Sequence, residues 1–486
     1  MKQKSLKLNA FLNLVKALLN IIFPIISFPY ASRILMPEGI GKVNFANSLI
    51  EYFVLIAALG ITTYAVREAS KIRDDKTKLS KFTKEILFIN SFSTLVAYIL
   101  LIVCFLFIPK FYEYRILIII CATKILFATI GMEWLYRAEE EFAYITIRQS
   151  VFQILSLILL FTFVKTKEDY YIYAGIGVFA NVGANFFNFI HSRKFINLFI
   201  KTKLNIKKHI KPIITFFGIS CAGKINNALD AVMLGFIIGD IAVGLYSAAI
   251  KINRMVIELI TSAITSFLPR SSYYIENNNI EEYKKMIGKV CNATFFFSIP
   301  SAAGLFFLCK PIIILFSGAR YIAAVPSMQI LSISIIGSCG NSFLNSMIIT
   351  PQRKERFTLI AQITAAFTNI ILNILLIKRY EVFGAAIATV AVEFILPCVV
   401  LIPAWKYVRS KENIIGIIKS ILSTCIMLFI LYISCSKIEN NIPKIFVSVA
   451  IGGCTYAISS MLLRHSTAQE IVKIIQRKLK GTKLCK

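Results

Sequence analysis

Fourteen stretches of this chain are each apolar over about the ~20 residues that a helix needs to cross a ~30 Å hydrocarbon layer. They run near residues 10–36, 42–66, 85–108, 116–136, 142–164, 171–190, 213–237, 243–268, 290–316, 322–349, 357–377, 383–405, 414–434 and 443–463. A water-soluble domain cannot bury that much apolar surface, and backbone groups inside lipid must pair within their own segment, so an all-α polytopic membrane bundle is expected. Composition agrees, with 57% hydrophobic and 16% charged residues. The basic start MKQKSLKLN leads into an apolar run reaching about Leu35. That run is too long for the core of a signal peptide and reads as a retained first span.

A net charge of +29 would suggest nucleic acid in a soluble protein. Here the position of the cations matters more, and basic patches interleaved with aromatics are absent. With both termini placed inside, the segments on that side carry 35 Lys and Arg against 9 in the opposite loops. The positive-inside rule therefore predicts cytoplasmic termini. The seven loops on the other side are short, roughly five to eight residues, and leave no room for an enzymatic domain. Residues 467–481 predict a basic amphipathic helix at the inner surface. The eleven Cys show no CxxC spacing and mostly lie in apolar runs. They read as small core residues, neither a disulfide framework nor a metal site.

The chain matches itself at an offset of 203 residues, where Gly41, Ala46, Ile61, Thr62 and Arg67 meet Gly244, Ala249, Ile264, Thr265 and Arg270. A second match lies at offset 215, where EEFAYI (140–145) meets ERFTLI (355–360). Halves of six spans keep one orientation, so the expected repeat is parallel. The expected organisation is a first lobe over 1–190, a basic cytoplasmic linker over 191–212 and a second lobe over 213–405. Two further spans over 406–463 and a basic tail over 464–486 follow. The 203-residue register sets Glu51 opposite Arg254 and Ser48 opposite Lys251, which predicts both faces at an interface between lobes.

The segment SAAIKINRMVIELITSAI (247–264) is apolar enough to cross a bilayer and yet carries Lys251, Arg254 and Glu258. Steps of three and four place those charges on one helical face with Ser247, Thr261 and Thr265. Lys124, Lys224, Glu51 and Asp230 also fall near the middle of their spans, and Glu393 lies within another. A charge facing lipid costs ~2.5–3.5 kcal/mol or more, so these groups are expected to face a protein interior or water. Asn181 and Asn185, Asn341 and Asn345, and Asn369 and Asn373 form further one-sided sets. Hydrogen bonding between helices accounts for any one such set. Sets in both presumed lobes predict a hydrated cavity. The cations Lys124, Lys224, Lys251 and Arg254 suit a phosphate or pyrophosphate, and the Asn sets suit sugar hydroxyls.

Four segments carry a resemblance: FPYASRILMPEGIGKVNFANSL (28–49), YRAEEEFAYITIRQ (136–149), ALDAVMLGFIIGDIAVGLYSAAIKINRM (228–255) and SFLPRSS (266–272). Along nearly its whole length the chain resembles the O-antigen and polysaccharide (Wzx-like) flippases of the multidrug/oligosaccharidyl-lipid/polysaccharide (MOP) exporter superfamily. The resemblance implies a two-lobed MATE-like bundle working by alternating access in the bacterial cytoplasmic membrane. Its implied cargo is an undecaprenyl-pyrophosphate-linked oligosaccharide, carried from the inner to the outer leaflet. Its implied partners are that lipid-linked oligosaccharide, the surrounding membrane lipids and other polysaccharide-assembly membrane proteins. No cofactor is implied beyond coupling to protons or sodium, for which Glu51, Asp230, Glu258 and Glu393 are the candidate carboxylates.

A lipid II flippase shares the spans and the cationic cavity and stays open on charge alone. A MATE-type drug/cation antiporter would favour an acidic, aromatic cavity over four midplane cations. A membrane polymerase or ligase needs catalytic groups in an outer loop, whereas His191, His209 and His465 all fall on the expected cytoplasmic side. No pairing of nucleophile and base and no metal spacing appears, so a non-enzymatic transporter is expected.

Overall fold

The computed structural model describes residues 6–200, 204–435, 438 and 440–481. Lys16 falls outside the residues whose side chains are described, as do parts of the 191–212 linker and the end of the 464–486 tail. The chain divides into two compact units, residues 1–244 and 245–486.

In the first unit the helices are α1 (Leu6–Ala58), α2 (Ile61–Ile72), α3 (Lys76–Phe107), α4 (Pro109–Glu113), α5 (Arg115–Gly131), α6 (Glu133–Ala138) and α7 (Phe142–Phe163). They are followed by α8 (Tyr170–Val178), a π-helical turn at Phe179–Gly183, α9 (Asn185–His191) and α10 (Lys207–Ile237). At 53 residues α1 would run about 80 Å if straight, far beyond a ~30 Å core. It breaks at Met36 (φ 59°, ψ 175°), next to Pro37, whose ring disfavours helical angles at the residue before it. The second unit takes most of α11 (Asp240–Thr265), then α12 (Leu268–Glu276), α13 (Ile280–Ser317) and α14 (Val325–Leu344), which ends in a π-helical turn at Asn345–Ile349. It closes with α15 (Glu355–Val408), α16 (Lys411–Cys435), α17 (Asn441–Leu462) and α18 (Ser466–Gly481). The 54-residue α15 breaks at Glu381 (φ 49°, ψ −124°), in the charged run that separates two apolar windows.

Among the described residues, nine helices are long and apolar enough to cross a membrane, and two of these are the long helices broken at Met36 and Glu381. Large apolar side chains such as Leu106, Phe107, Phe429 and Phe446 stay on the surface, where only lipid can cover them favourably. The protein is a multi-pass, all-helical membrane protein.

The repeat is visible in the backbone. Met36 and Gly239, 203 residues apart in register, both take positive φ just before α1 resumes and α11 begins, and Glu140 and Arg353 do so ahead of α7 and α15. α13 is 38 residues against 32 for α3, and α14 is 20 against 17 for α5. Those additions explain most of the drift in offset from 203 to 215. The matched glycines also serve the same purpose, since each lets a helix approach a backbone carbonyl. A Cβ on Gly41 would lie 1.8 Å from the carbonyl oxygen of Asp240, and one on Gly244 would lie 1.9 Å from that of Pro37. Pro37 and Asp240 are themselves equivalent under the 203-residue register, so the contact is reciprocal.

The division between compact units falls later than the expected boundary at 191–212, because α10 packs along α1 inside the first unit. α16 and α17, expected as appended spans, pack on α13, where Phe296 meets Met427, Leu431 and Tyr456.

The linker is tied to the first unit by buried polar contacts. Glu85 accepts hydrogen bonds from the backbone N–H of Asn205 (2.8 Å) and from His209 Nε2 (2.8 Å), and it ion-pairs with Lys208 (3.0 Å). Tyr64 donates its hydroxyl to His209 Nδ1 (2.7 Å), which sets the tautomer with the proton on Nε2. Burial holds the His209 imidazole below its ordinary value of 6.5, so the ring is neutral at pH 7. A base depressed in the folded state lends stability in full above its unfolded pKa and loses it as pH falls through the folded one. Thermal unfolding of the purified protein is therefore expected to shift to lower temperature as pH drops below about 6.5. His209→Gln should flatten that dependence.

Candidate functional site

Each unit presents its own set of charged groups. In the first, α1 offers Asn47 and Glu51 one turn apart on one face, and α5 and α10 pack on either side of it. Lys124 of α5, 9% exposed, donates to Asn47 Oδ1 (2.7 Å), and Cys121 donates to the same oxygen (3.3 Å). Lys224 of α10 ion-pairs with the Glu51 carboxylate, with both side chains about one-third exposed. Asp230, two turns further along α10, is buried. The hydroxyl of Tyr52 is buried with no hydrogen-bond partner among the described residues. The predicted residues Lys124, Lys224 and Glu51 thus meet on one helix face. Asn47 was missed, although its spacing of four from Glu51 was the signal that could have found it.

In the second unit α11 uses one side to pack. Tyr246 pairs with Thr389 (2.8 Å) on α15, and the fully buried Asn253 donates to Ser334 (2.9 Å) on α14. Ser247, Lys251, Arg254 and Glu258 lie roughly a third of a turn from that packed side. Lys251 and Arg254 are half-buried and Glu258 is exposed. Arg254 and Glu258 sit four residues apart, yet Arg254 forms no ion pair among the described residues. Glu393 on α15 accepts from Ser338 on α14 (2.7 Å), where Gly337 lets the two backbones close to a distance at which a Cβ would sit 2.4 Å from the Glu393 carbonyl oxygen.

The asparagines divide by role. Asn185 donates to the Phe127 carbonyl (3.0 Å), and Asn373 donates to Asn369 (3.1 Å) with both side chains almost wholly buried. These hold helices or helical turns together. Asn345 donates to Asn341 (2.8 Å), and both keep partial exposure. Asn181 is exposed and donates to the Gly177 carbonyl of its own helix (2.7 Å). Among the described residues no group of three His, Cys, Asp or Glu could hold a metal ion.

The family model described as "Polysaccharide biosynthesis protein" matches residues 6–275. A putative O-antigen transporter of Escherichia coli K12 is 23% identical over 402 residues, 82% of this chain and 95% of that protein. A probable flippase, AglR, of Haloferax volcanii is 23% identical over 323 residues, 63% of this chain and 66% of its own length. Among solved structures, the lipid II flippase MurJ in an inward closed conformation matches with a TM-score of 0.74 at 19% identity, covering 94% of this chain and 98% of that one. An inward-facing MATE family multidrug resistance transporter of the MOP superfamily matches at 0.59 and 13%, covering 84% and 94%. At those identities the likenesses show the fold. The family match spans more than half of the 486 residues, and the chain therefore belongs to the polysaccharide biosynthesis protein family, built on a MurJ- and MATE-like fold.

Proposed function

We propose that this protein is a flippase for a polyprenyl-pyrophosphate-linked oligosaccharide, the repeat unit of an O-antigen, capsule or exopolysaccharide. It carries that unit from the cytoplasmic to the outer leaflet of a bacterial inner membrane by alternating access, with both termini cytoplasmic. The observation that carries the reading is the Arg254 face of α11. It is a half-buried guanidinium near the middle of α11, a helix that the sequence reads as a span although it is not among the nine apolar ones, turned from the packed side and without an ion pair among the described residues. Such a group is costly in lipid and is accounted for by an anionic cargo that it can bond bidentately. The names of relatives support the choice of cargo, since those from Escherichia coli and Haloferax volcanii are called an O-antigen transporter and a flippase.

In this reading Lys124, Lys224, Lys251 and Arg254 hold the pyrophosphate and Asn181, Asn341 and Asn345 meet sugar hydroxyls. The lobes that rock are 1–190 and 213–405, joined through the basic linker, and chemistry on the cargo is left to other proteins. Protons or sodium drive the cycle through a carboxylate. Glu51 is the first choice, because it is partly exposed and its charge is matched by Lys224, so loading or unloading a cation there alters an ion pair. A lipid II flippase is the second reading, favoured by the structural match to MurJ. Translocation by the purified protein in vesicles tests the function: a lipid-linked oligosaccharide should cross, and a cationic dye of the kind a drug antiporter carries should not.

A further inference from the structure

A recess lies wholly within the second unit, on the side of α11 away from Lys251 and Arg254. Its volume is about 620 Å³, within the usual range for small-molecule sites. Leu259 and Ala263 of α11 and Ala293 and Phe297 of α13 give it an apolar half. The rim is charged. Arg270 of α12 donates from Nε and Nη2 to the Tyr274 hydroxyl (3.0 and 2.8 Å), with its guanidinium over the Tyr274 ring. Lys285 pairs with Glu282 (3.0 Å), and Lys289 pairs with Glu470 of α18 (2.8 Å). Three cations against two carboxylates leave the rim net positive, and Arg270 makes no ion pair among the described residues.

We propose that this recess is a binding site for an anionic phospholipid, its phosphodiester on Arg270 and an acyl chain in the apolar half. The inference stands on the recess and on the sidedness expected from the cations, and does not rest on the transport reading above. An apolar lining beside a cationic rim complements one amphiphile with a negative head. Arg270 keeps N–H donors beyond the two that Tyr274 accepts, in the fork that suits phosphate oxygens. The Lys285 and Lys289 pairs are largely exposed, and such ion pairs are weak enough to exchange a carboxylate for a phosphate. Residues 269–289 carry four Lys and Arg and fall on the side that the positive-inside rule assigns to the cytoplasm, where anionic headgroups attract cations. Because Glu470 closes the rim, an occupied site also bears on how α18 lies against α13.

Native mass spectrometry of the purified full chain, given equal phosphatidylglycerol and phosphatidylcholine, tests the site. The wild type should retain phosphatidylglycerol preferentially. Arg270→Gln should cut that preference roughly fivefold, and Lys289→Gln by a similar factor, as expected for the loss of one interfacial cation. Ala263→Trp, which fills the apolar half, should abolish retention of both lipids. Melting curves establish that each variant is folded, and Lys289→Gln carries the test if Arg270→Gln is not. The proposal is overturned by equal retention of the two lipids in the wild type or by unchanged phosphatidylglycerol retention in the folded variants. Release of the lipid by millimolar inorganic phosphate also overturns it, since that would make the rim a free-anion site.

Discussion

Gly41→Ala is expected to stop the protein from folding, and so is Gly244→Ala. The added Cβ in either case meets a backbone carbonyl at less than 2 Å, which no rotamer change relieves. Overpacking usually costs ~1–3 kcal/mol because side chains can shift. Here a helix end must move, so the cost should exceed that range. Because the contact is reciprocal under the 203-residue register, the two variants should fail alike. Gly175→Ala has nothing within 4 Å of its new Cβ and serves as the control. Size-exclusion profiles of fluorescent fusions provide the measurement, with a monodisperse peak for Gly175→Ala and none for Gly41→Ala or Gly244→Ala. A normal peak from either of the latter two would contradict the packing described.

Arg254→Ala should produce a folded, inserted protein that no longer supports surface glycan in a strain lacking the native gene. A charge-assisted hydrogen bond is worth ~1.5–3 kcal/mol, so the loss of transport should be on the order of 10- to 100-fold. Lys251→Ala is expected to lose less, since an ammonium acts as a point charge and cannot bond bidentately. Arg254→Lys should fall between Arg254→Ala and the wild type. Quantitative labelling of surface glycan, normalised to membrane protein level, separates these outcomes from a folding defect.

Several parts of this architecture were legible in the amino-acid order. Bilayer-length apolar windows located the helices, and the boundary between the windows at 10–36 and 42–66 falls at the break in α1. The offset of 203 paired Gly41 with Gly244 before any packing was known, and in the structure both allow the same close backbone approach. Periodicity also put Lys251, Arg254 and Glu258 on one face. What it could not supply was the neighbour across each face. Lys224 meets Glu51 from 173 residues away, and Glu85 meets His209 from 124, and nothing local in the chain encodes such pairings. The same limit explains the asparagines: spacing showed that Asn369 and Asn373 share a face, but only packing shows that the face is buried and that the two bond each other. The first compact unit runs on to Gly244 for a related reason, because a basic linker marks where the chain changes direction and not which helices α10 packs against.

Whether this protein flips a lipid-linked oligosaccharide is measured by the movement of a fluorescent polyprenyl-pyrophosphate oligosaccharide across vesicles holding the purified protein. Labelled lipid in the inner leaflet is protected from an impermeant quencher until it is flipped. Wild-type vesicles should lose this protection, Arg254→Ala vesicles with the same protein content should keep most of it, and neither should transport a cationic dye. Equal protection in wild-type and empty vesicles, or equal flipping by wild type and Arg254→Ala, would contradict the proposed function.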